Sequence, residues 1–316
     1  MSVISERQGR QAEQSGGARS TAWSKRQARQ DRLMRSLFIG SAVLVSVVIF
    51  SIIVFVGFQG SKTFRDVSVV EFFFSTKWSP SADSPSFGAL PFLYSTILLA
   101  GLSILLAVPL ALSGAIFMAM IAPRWIREIM RPATDLFVGI PSVVYGLIGL
   151  TVIVPFLGKT FHGSSSAGYG ILPAAIVLAV MVMPTILSVS EDALRSLPGA
   201  LREASLALGA TRWQTIWRVL LPAARPGILT GVILGLGRAI GETMAVFMVI
   251  GNAPVVPKSL LDSTTVLTTA IVKDMANTFF NTPWNNALYL MALVLLLLSL
   301  FLILLIRFVA GRSEVK

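Results

Sequence analysis

Six apolar runs constrain this chain more than any other feature, because each is long enough to cross the hydrocarbon core of a bilayer. They lie at Ser36–Phe58, Leu90–Ala122, Leu136–Gly158, Gly170–Ser190, Gly227–Val256 and Asn285–Ile306. A core of about 30 Å needs about 20 helical residues. The second and fifth runs exceed that minimum, so tilt, kinks or extra-membrane turns are expected, and Pro109 can bend the second. Composition agrees: 54% of the 316 residues are hydrophobic and 13% are charged, about half the charge share of a soluble domain. The expected class is all-α, a polytopic membrane protein with six transmembrane helices.

The first run is 23 residues long, beyond the h-region of a secretory signal, and no small-residue cleavage pattern follows it. It reads as an uncleaved anchor. The chain has no cysteine, which excludes disulfides and thiolate metal sites and leaves the redox compartment open.

The net charge of +11 raises the question of nucleic acid. Its distribution answers otherwise. Residues 1–35, 123–135, 191–226 and the tail from Arg307 hold nineteen Lys/Arg, and the alternate loops 59–89, 159–169 and 257–284 hold six. The positive-inside rule then places both termini in the cytoplasm. Residues 1–32 lack an apolar period and read as a disordered basic cytoplasmic tail. Residues 33–89 supply the first span and an external loop, 90–308 a core of the remaining five spans with their loops, and 309–316 a cytoplasmic C-terminal tail. In the first external loop, Trp78-Ser79-Pro80 and Ser84-Pro85-Ser86 favour turns. The segment VLTTAIV at 266–272 is too short to span, and lies on the membrane surface or packs against the spans.

The cytoplasmic segment 191–226 carries eight charged residues and cannot span, yet it is patterned. Trp213, Ile216, Trp217, Leu220 and Leu221 recur on one helical face. Upstream, Ala200–Leu208 is rich in helix formers. Gly209 can stop that helix with a left-handed cap, and Pro222 is expected to end the second. Two short helices meeting at a glycine corner result: an interfacial hairpin on lipid, or a docking element for a cytoplasmic partner.

The fifth run contains LGLGRAIGETMAV at 234–246, with Arg238 and Glu242 four residues apart. A charge buried there costs about 2.5–3.5 kcal/mol on insertion scales, so both groups should face the bundle interior or an aqueous cavity. In a continuous helix they share one face. Two readings stand: a self-satisfied structural ion pair, or a substrate site in which the guanidinium fork meets an oxyanion. Gly231, Gly235 and Gly237, Gly241 form two overlapping GxxxG spacings that permit close helix approach. In the third run, Gly139-Ile140-Pro141-Ser142 can interrupt the helix, either as a packing kink or to offer free N–H groups and the Ser142 hydroxyl to an anion. Asp135, at the cytoplasmic end of that run, has helix capping as its simplest role.

Other motifs fail. Gly158-Lys159-Thr160 ends like a P-loop, but Ile153 stands where a glycine is required. Gly235, Gly237 and Gly241 have the wrong spacing for a dinucleotide fingerprint, and no strand precedes them. His162, the only histidine, sits in a glycine- and serine-rich loop without ligand partners. No nucleophile–base constellation is present, so the chain reads as non-catalytic.

One resemblance sharpens these readings. Glu203-Ala204-Ser205, Gly209 with Ala210, and Val219-Leu220-Leu221-Pro222 resemble the signature of ABC-importer permeases, with Ser for Ala and Val for Ile as departures. FGALPFLYSTI at 87–97, VGIPSVVYGLIGL at 138–150 and GLGRAIGETMAV at 235–246 resemble phosphate-specific permeases of the PstC type. The likeness runs from about residue 30 to the C-terminus. It implies a type I ABC importer permease fold in the bacterial inner (cell) membrane. It also implies that 203–222 couples to ATPase subunits, and that Arg238 and Glu242 matter in the transport path; Ser142 and Thr243 complete the expected substrate-binding set. Implied partners are a homologous second permease, two ATP-binding subunits that hold ATP and Mg, and an extracytoplasmic phosphate-binding protein. No cofactor is implied on this chain. On this reading Arg238 attracts the anion. Glu242 accepts the proton of hydrogen phosphate, rejects sulfate, and holds Arg238 when no anion is present. Permeases for sulfate, molybdate or phosphonate are alternatives. An ion-coupled secondary transporter leaves 203–222 without a purpose, and a passive anion channel predicts flux without ATP.

Overall fold

The computed structural model describes the backbone of residues 2–82, 84–161 and 167–311, with side chains from residue 30 to 308 apart from 83 and 162–166. His162 and the end of the C-terminal tail lie outside the described residues. The chain divides into two units, Met1–Val56 and Gly57–Lys316.

The first unit is helical. Helix α1 runs Ser2–Ser61, so the backbone of the tail expected to be disordered is helical from Ser2. Its Gln, Arg, Glu and Ala residues favour helix. The adjoining span also supplies the costly first turn. From Leu33 to Phe55 large apolar side chains are exposed around the helix, the pattern of a span in lipid.

In the second unit, buried Gln59 donates to Asn281 and Asn286 at 2.7 and 3.0 Å, and Lys62 donates to Gln59 and Asn281 at 2.8 Å each. The chain then forms α2 (Val69–Phe74) and a two-stranded antiparallel hairpin, β1 (Trp78–Ser79) with β2 (Ser86–Phe87), in which Trp78 faces Phe87. Helix α3 (Leu90–Ile116) carries through Pro109 and ends in a π-turn at Phe117–Ile121. Helix α4 (Arg124–Gly139) precedes α5 (Ser142–Ile148), which continues through a π-turn at Gly149–Ile153 into α6 (Val154–Thr160). Helix α7 (Ile171–Arg195) leads to the short helices α8 (Gly199–Ala207) and α9 (Arg212–Thr215). A third π-turn, Ile216–Leu220, joins α9 to α10 (Leu221–Gly241), followed by α11 (Met244–Val249), α12 (Leu267–Met275) and α13 (Pro283–Gly311). Among the described residues six helices are long and apolar enough to cross a membrane: Gln30–Arg65, Leu90–Ile121, Ser142–Thr160, Ile171–Arg195, Arg212–Gly241 and Pro283–Phe308.

Three expectations need correction. The third span starts at Ser142, because Leu136–Gly139 belongs to α4, a separate helix covering the expected 123–135 loop. Asp135 is therefore exposed inside α4 and does not cap a helix. Pro222 does not end the second helix of segment 191–226 either; it sits in the first turn of α10, and the helix runs unbroken from Arg212 to Gly241. Proline at a helix start costs no backbone bond, and the preceding π-turn resets the bonding register. By contrast, Gly158-Lys159-Thr160 closes α6 rather than opening a helix, so no phosphate-cradling loop exists there.

The main core packs α3, α7, α10 and α11 around Ala107, Ala111 and Ala115, Leu178 and Met181, Ile228 and Ala239, and Ala245. Small residues bring α10 onto α7. A Cβ built at Gly235 would meet the fully buried Ile186 at 2.7 Å, and one at Gly231 would meet Val189 and the Ile186 carbonyl at 3.2 and 3.3 Å. The first GxxxG spacing is thus a packing face. Gly237 and Gly241, the second, have no atom within 4 Å of such a Cβ. Gly235→Leu is expected to cost upwards of about 3 kcal/mol through overpacking, read as a lowered thermal midpoint of the assembled protein. Gly237→Ala should leave the midpoint unchanged or slightly raised.

A second core closes one end of the unit. Trp78 stacks edge-on against Phe87 and Phe92 with ring centroids at 5.7 and 5.2 Å, and its Nε1–H donates to Asp274 at 3.0 Å. Leu267 and Ala270 of α12 pack into the same cluster with Leu288 and Met291. The 266–272 segment therefore packs against the spans.

Candidate functional site

The site is built around a break in the fifth span. Helix α10 stops at Gly241, and Glu242 turns extended with φ −70° and ψ 132°. Thr243 then starts α11 with φ −119° and ψ −58°. Glycine weakens a helix interior and Thr is stiff at χ1, so Gly241-Glu242-Thr243 is a weak point in an otherwise strong helix former. The freed backbone groups find partners at once. The Glu242 carboxylate accepts from the Ala245 amide at 3.1 Å, capping α11. The Thr268 hydroxyl donates to the Glu242 carbonyl at 3.1 Å from α12, and Thr243 Oγ1 donates to the Gly241 carbonyl at 3.4 Å. A carboxylate at a helix N-terminus also meets the positive end of the backbone dipole.

This geometry separates the two charged residues. Arg238 lies in the last turn of α10, where a cation suits the helix end, and its Nη1 donates to Thr185 Oγ1 of α7 at 3.4 Å. Both Arg238 and Glu242 are half-buried. They form no ion pair with each other: the pairs among the described residues are Arg131–Asp192 at 2.8 Å and Arg195–Glu191 at 3.1 Å. The shared helical face expected from their spacing is lost because the helix ends between them. Glu242 and Arg238 are not paired in this structure.

The break between α4 and α5 falls where Gly139-Ile140-Pro141-Ser142 allows it, with Ile140 and Pro141 both extended. Tyr145, 7% exposed, donates its hydroxyl to the Phe137 carbonyl at 2.8 Å and so satisfies a terminal acceptor of α4 across the gap. Helix α5 meets α11 at Gly146, where a Cβ would come 2.9 Å from the Ala245 Cα. The start of the third span therefore touches the helix that follows the break in the fifth. Ser142 is half-buried and makes no hydrogen bond to Arg238 or Glu242. Sequence reading missed Thr185, Tyr145 and Thr268. Tyr145 lies inside the quoted 138–150 stretch; Thr185, next to Pro184, and Thr268 carried no pattern.

The second candidate element is the α8–α9 corner. Gly209 adopts φ +84°, which glycine enters without the steric cost that other residues meet. Its amide bonds the Leu206 carbonyl, and Ala210 bonds that of Ser205. Ser205 Oγ meets Thr215 Oγ1 at 2.9 Å, tying α8 to α9. Thr211 and Gln214 form a reciprocal capping box. Leu220 and Leu221 anchor this element to the core, while Glu203, Ala204 and Leu208 are exposed and Trp213 and Trp217 meet edge-to-face in the open with ring centroids at 5.7 Å. The apolar stripe is split: Ile216, Leu220 and Leu221 go inward and the two tryptophans outward. Trp213 and Trp217 thus form an exposed apolar patch beside an ordered corner.

Residues 111–315 match the family described as "Binding-protein-dependent transport system inner membrane component". The "Probable ABC transporter permease protein YqgH" of Bacillus subtilis (strain 168) is 47% identical over 296 residues, covering 92% of this chain and 95% of that protein. The "Phosphate transport system permease protein PstC" of Xylella fastidiosa (strain 9a5c) is 34% identical over 309 residues, covering 92% and 94%. Among solved structures, a chain of a bacterial alginate ABC transporter in complex with alginate pentasaccharide-bound periplasmic protein superposes with a TM-score of 0.65. That alignment covers 91% of this chain and 97% of the other at 16% identity, which speaks for the fold alone. With six spans, a type I importer architecture and this family match, the chain belongs to the binding-protein-dependent transport system inner membrane components, as a multi-pass permease subunit of an ABC importer.

Proposed function

We propose that this chain is the permease subunit of an ATP-driven importer of inorganic phosphate. The observation that carries the reading is Arg238: a half-buried guanidinium in a spanning region, with no carboxylate partner among the described residues, in the last turn before a helix break and between the open positions Gly237 and Gly241. Such a charge is expensive in a membrane unless something transiently neutralises it, and a guanidinium fork matches a tetrahedral oxyanion. The relatives named phosphate permeases favour phosphate as that anion. ABC importer permeases work with ATPase subunits and a substrate-binding protein. In this reading those partners are a homologous second permease, two ATP- and Mg-binding subunits at the Glu203–Pro222 corner, and an extracytoplasmic phosphate-binding protein. The termini lie in the cytoplasm of a bacterium and the spans in its inner membrane.

Ser205–Thr215 and the Gly209 turn make the corner one rigid piece, and α10 carries its movement to Arg238 without an intervening loop. Gly209→Val places a β-branched residue at positive φ, so it should lower substrate-stimulated ATP hydrolysis at least about tenfold while the isolated ATPase subunits hydrolyse normally. The defining experiment reconstitutes the complex and measures ATP hydrolysis with phosphate-loaded and sulfate-loaded binding protein. Stimulation by phosphate alone supports the proposal. Equal or preferential stimulation by sulfate overturns the substrate assignment.

A further inference from the structure

We infer that Thr185 is a second anion-binding group, contributing a hydroxyl donor beside Arg238; this rests on the phosphate-path reading above. Hydroxyls on the spanning helices of this chain commonly turn back on their own backbone. Thr96, Ser103, Ser113, Thr151 and Thr230 each donate to the carbonyl four residues earlier, at 2.7 to 2.9 Å. That back-bond satisfies the only hydrogen a hydroxyl has. Thr185 makes no such back-bond. Its oxygen accepts from Arg238 at 3.4 Å, and its hydrogen goes to no backbone carbonyl.

A hydroxyl has one donor and two acceptor positions. With one acceptor position used by the guanidinium, the O–H of Thr185 remains to be given to an oxygen that Arg238 also holds. A tetrahedral oxyanion presents several such oxygens. Arg238 and Thr185 can therefore close on one anion together, the guanidinium by charge and the hydroxyl by a single directed bond. The 3.4 Å separation is long for a hydrogen bond, so an incoming anion displaces little when it replaces this contact. Tyr145 gives its hydroxyl to the Phe137 carbonyl at 2.8 Å, while Thr243 directs its own to the Gly241 carbonyl at 3.4 Å. Thr185 also stands on α7, so an anion bound by both residues would bridge α7 and α10. Helix α10 reaches back to the α8–α9 corner.

The test uses the assembled complex in proteoliposomes. The chain has no cysteine, so Gly241→Cys introduces its sole thiol, at a position where a Cβ meets no atom within 4 Å. The readout is the inorganic phosphate concentration that half-protects this thiol from a small polar reagent. Thr185→Val and Thr185→Ala are expected to raise that concentration about fivefold or more, in keeping with loss of one hydrogen bond to a charged group. Thr185→Ser, which keeps the hydroxyl, should stay within about twofold of the parent. Using two hydroxyl-free variants guards against a single substitution that fails to assemble. If Val and Ala protect like the parent while Arg238→Gln abolishes protection, the role of Thr185 is overturned and the Arg238 reading stands. If Arg238→Gln protects normally, the Arg238 reading itself is overturned.

Discussion

Arg238→Gln is expected to reduce phosphate uptake by the reconstituted complex more than about 100-fold. Each hydrogen bond from a charged donor to an ionised acceptor contributes about 1.5–3 kcal/mol. A bidentate guanidinium supplies two, and tenfold in affinity corresponds to about 1.4 kcal/mol. Nothing nearby can substitute. Thr185 offers one neutral hydroxyl and Tyr145 is bonded elsewhere. Arg238→Lys keeps the charge and loses the planar fork, so an intermediate loss near tenfold is expected. Radiolabelled phosphate uptake checks both variants, with basal ATP hydrolysis as the assembly control. Because Arg238 forms no ion pair, its removal leaves no orphaned carboxylate, and the variant should assemble with a normal thermal midpoint. A loss of folding instead of transport would restore the structural role.

Glu242 is expected to show two separable effects. Its carboxylate caps α11 at the Ala245 amide, and a glutamine side-chain oxygen can keep that bond. Glu242→Gln should therefore assemble normally while losing the negative charge beside the path. Sulfate, repelled by a carboxylate and carrying no proton to offer it, should gain about tenfold relative to phosphate in uptake competition. Glu242→Ala loses the cap as well, and should lower stability by about 1 kcal/mol besides. If Gln and wild type discriminate equally, Glu242 is a capping residue and nothing more.

The spans and the helix interruption before Ser142 were legible in the sequence because their determinants are local. A run of apolar residues needs no partner to be recognised, and Pro141 announces its own break. The corner at Gly209 was legible for the same reason. The end of α10 was not. Gly241-Glu242-Thr243 is only mildly unfavourable to helix, and the break is held by a local cap from Glu242 to the Ala245 amide together with Thr268, supplied from α12. Continuous helix was the simplest reading, and it carried with it the expectation that Arg238 and Glu242 share one helical face.

Pro222 shows the opposite error. Proline suggests a stop, but the π-turn at Ile216–Leu220 lets one helix run from Arg212 to Gly241. The register shift is set by how Ile216, Leu220 and Leu221 are buried against the core, which a stripe of spacings cannot specify. Thr185 and Tyr145 were invisible because isolated hydroxyls in apolar runs are usually bonded to their own helices. Only the approach of α7 to α10, made possible by Gly231 and Gly235, gives Thr185 a cation to face.

The central claim is that the gap between α10 and α11 is open to an anion during transport. Gly241→Cys in the assembled importer measures this directly, by the rate of thiol modification from each side of the membrane. The account predicts modification from one side in the resting complex, a change of side when the ATPase subunits are trapped closed, and slowing by phosphate but not by sulfate. A thiol at 241 that stays unreactive from both sides in both states would contradict it.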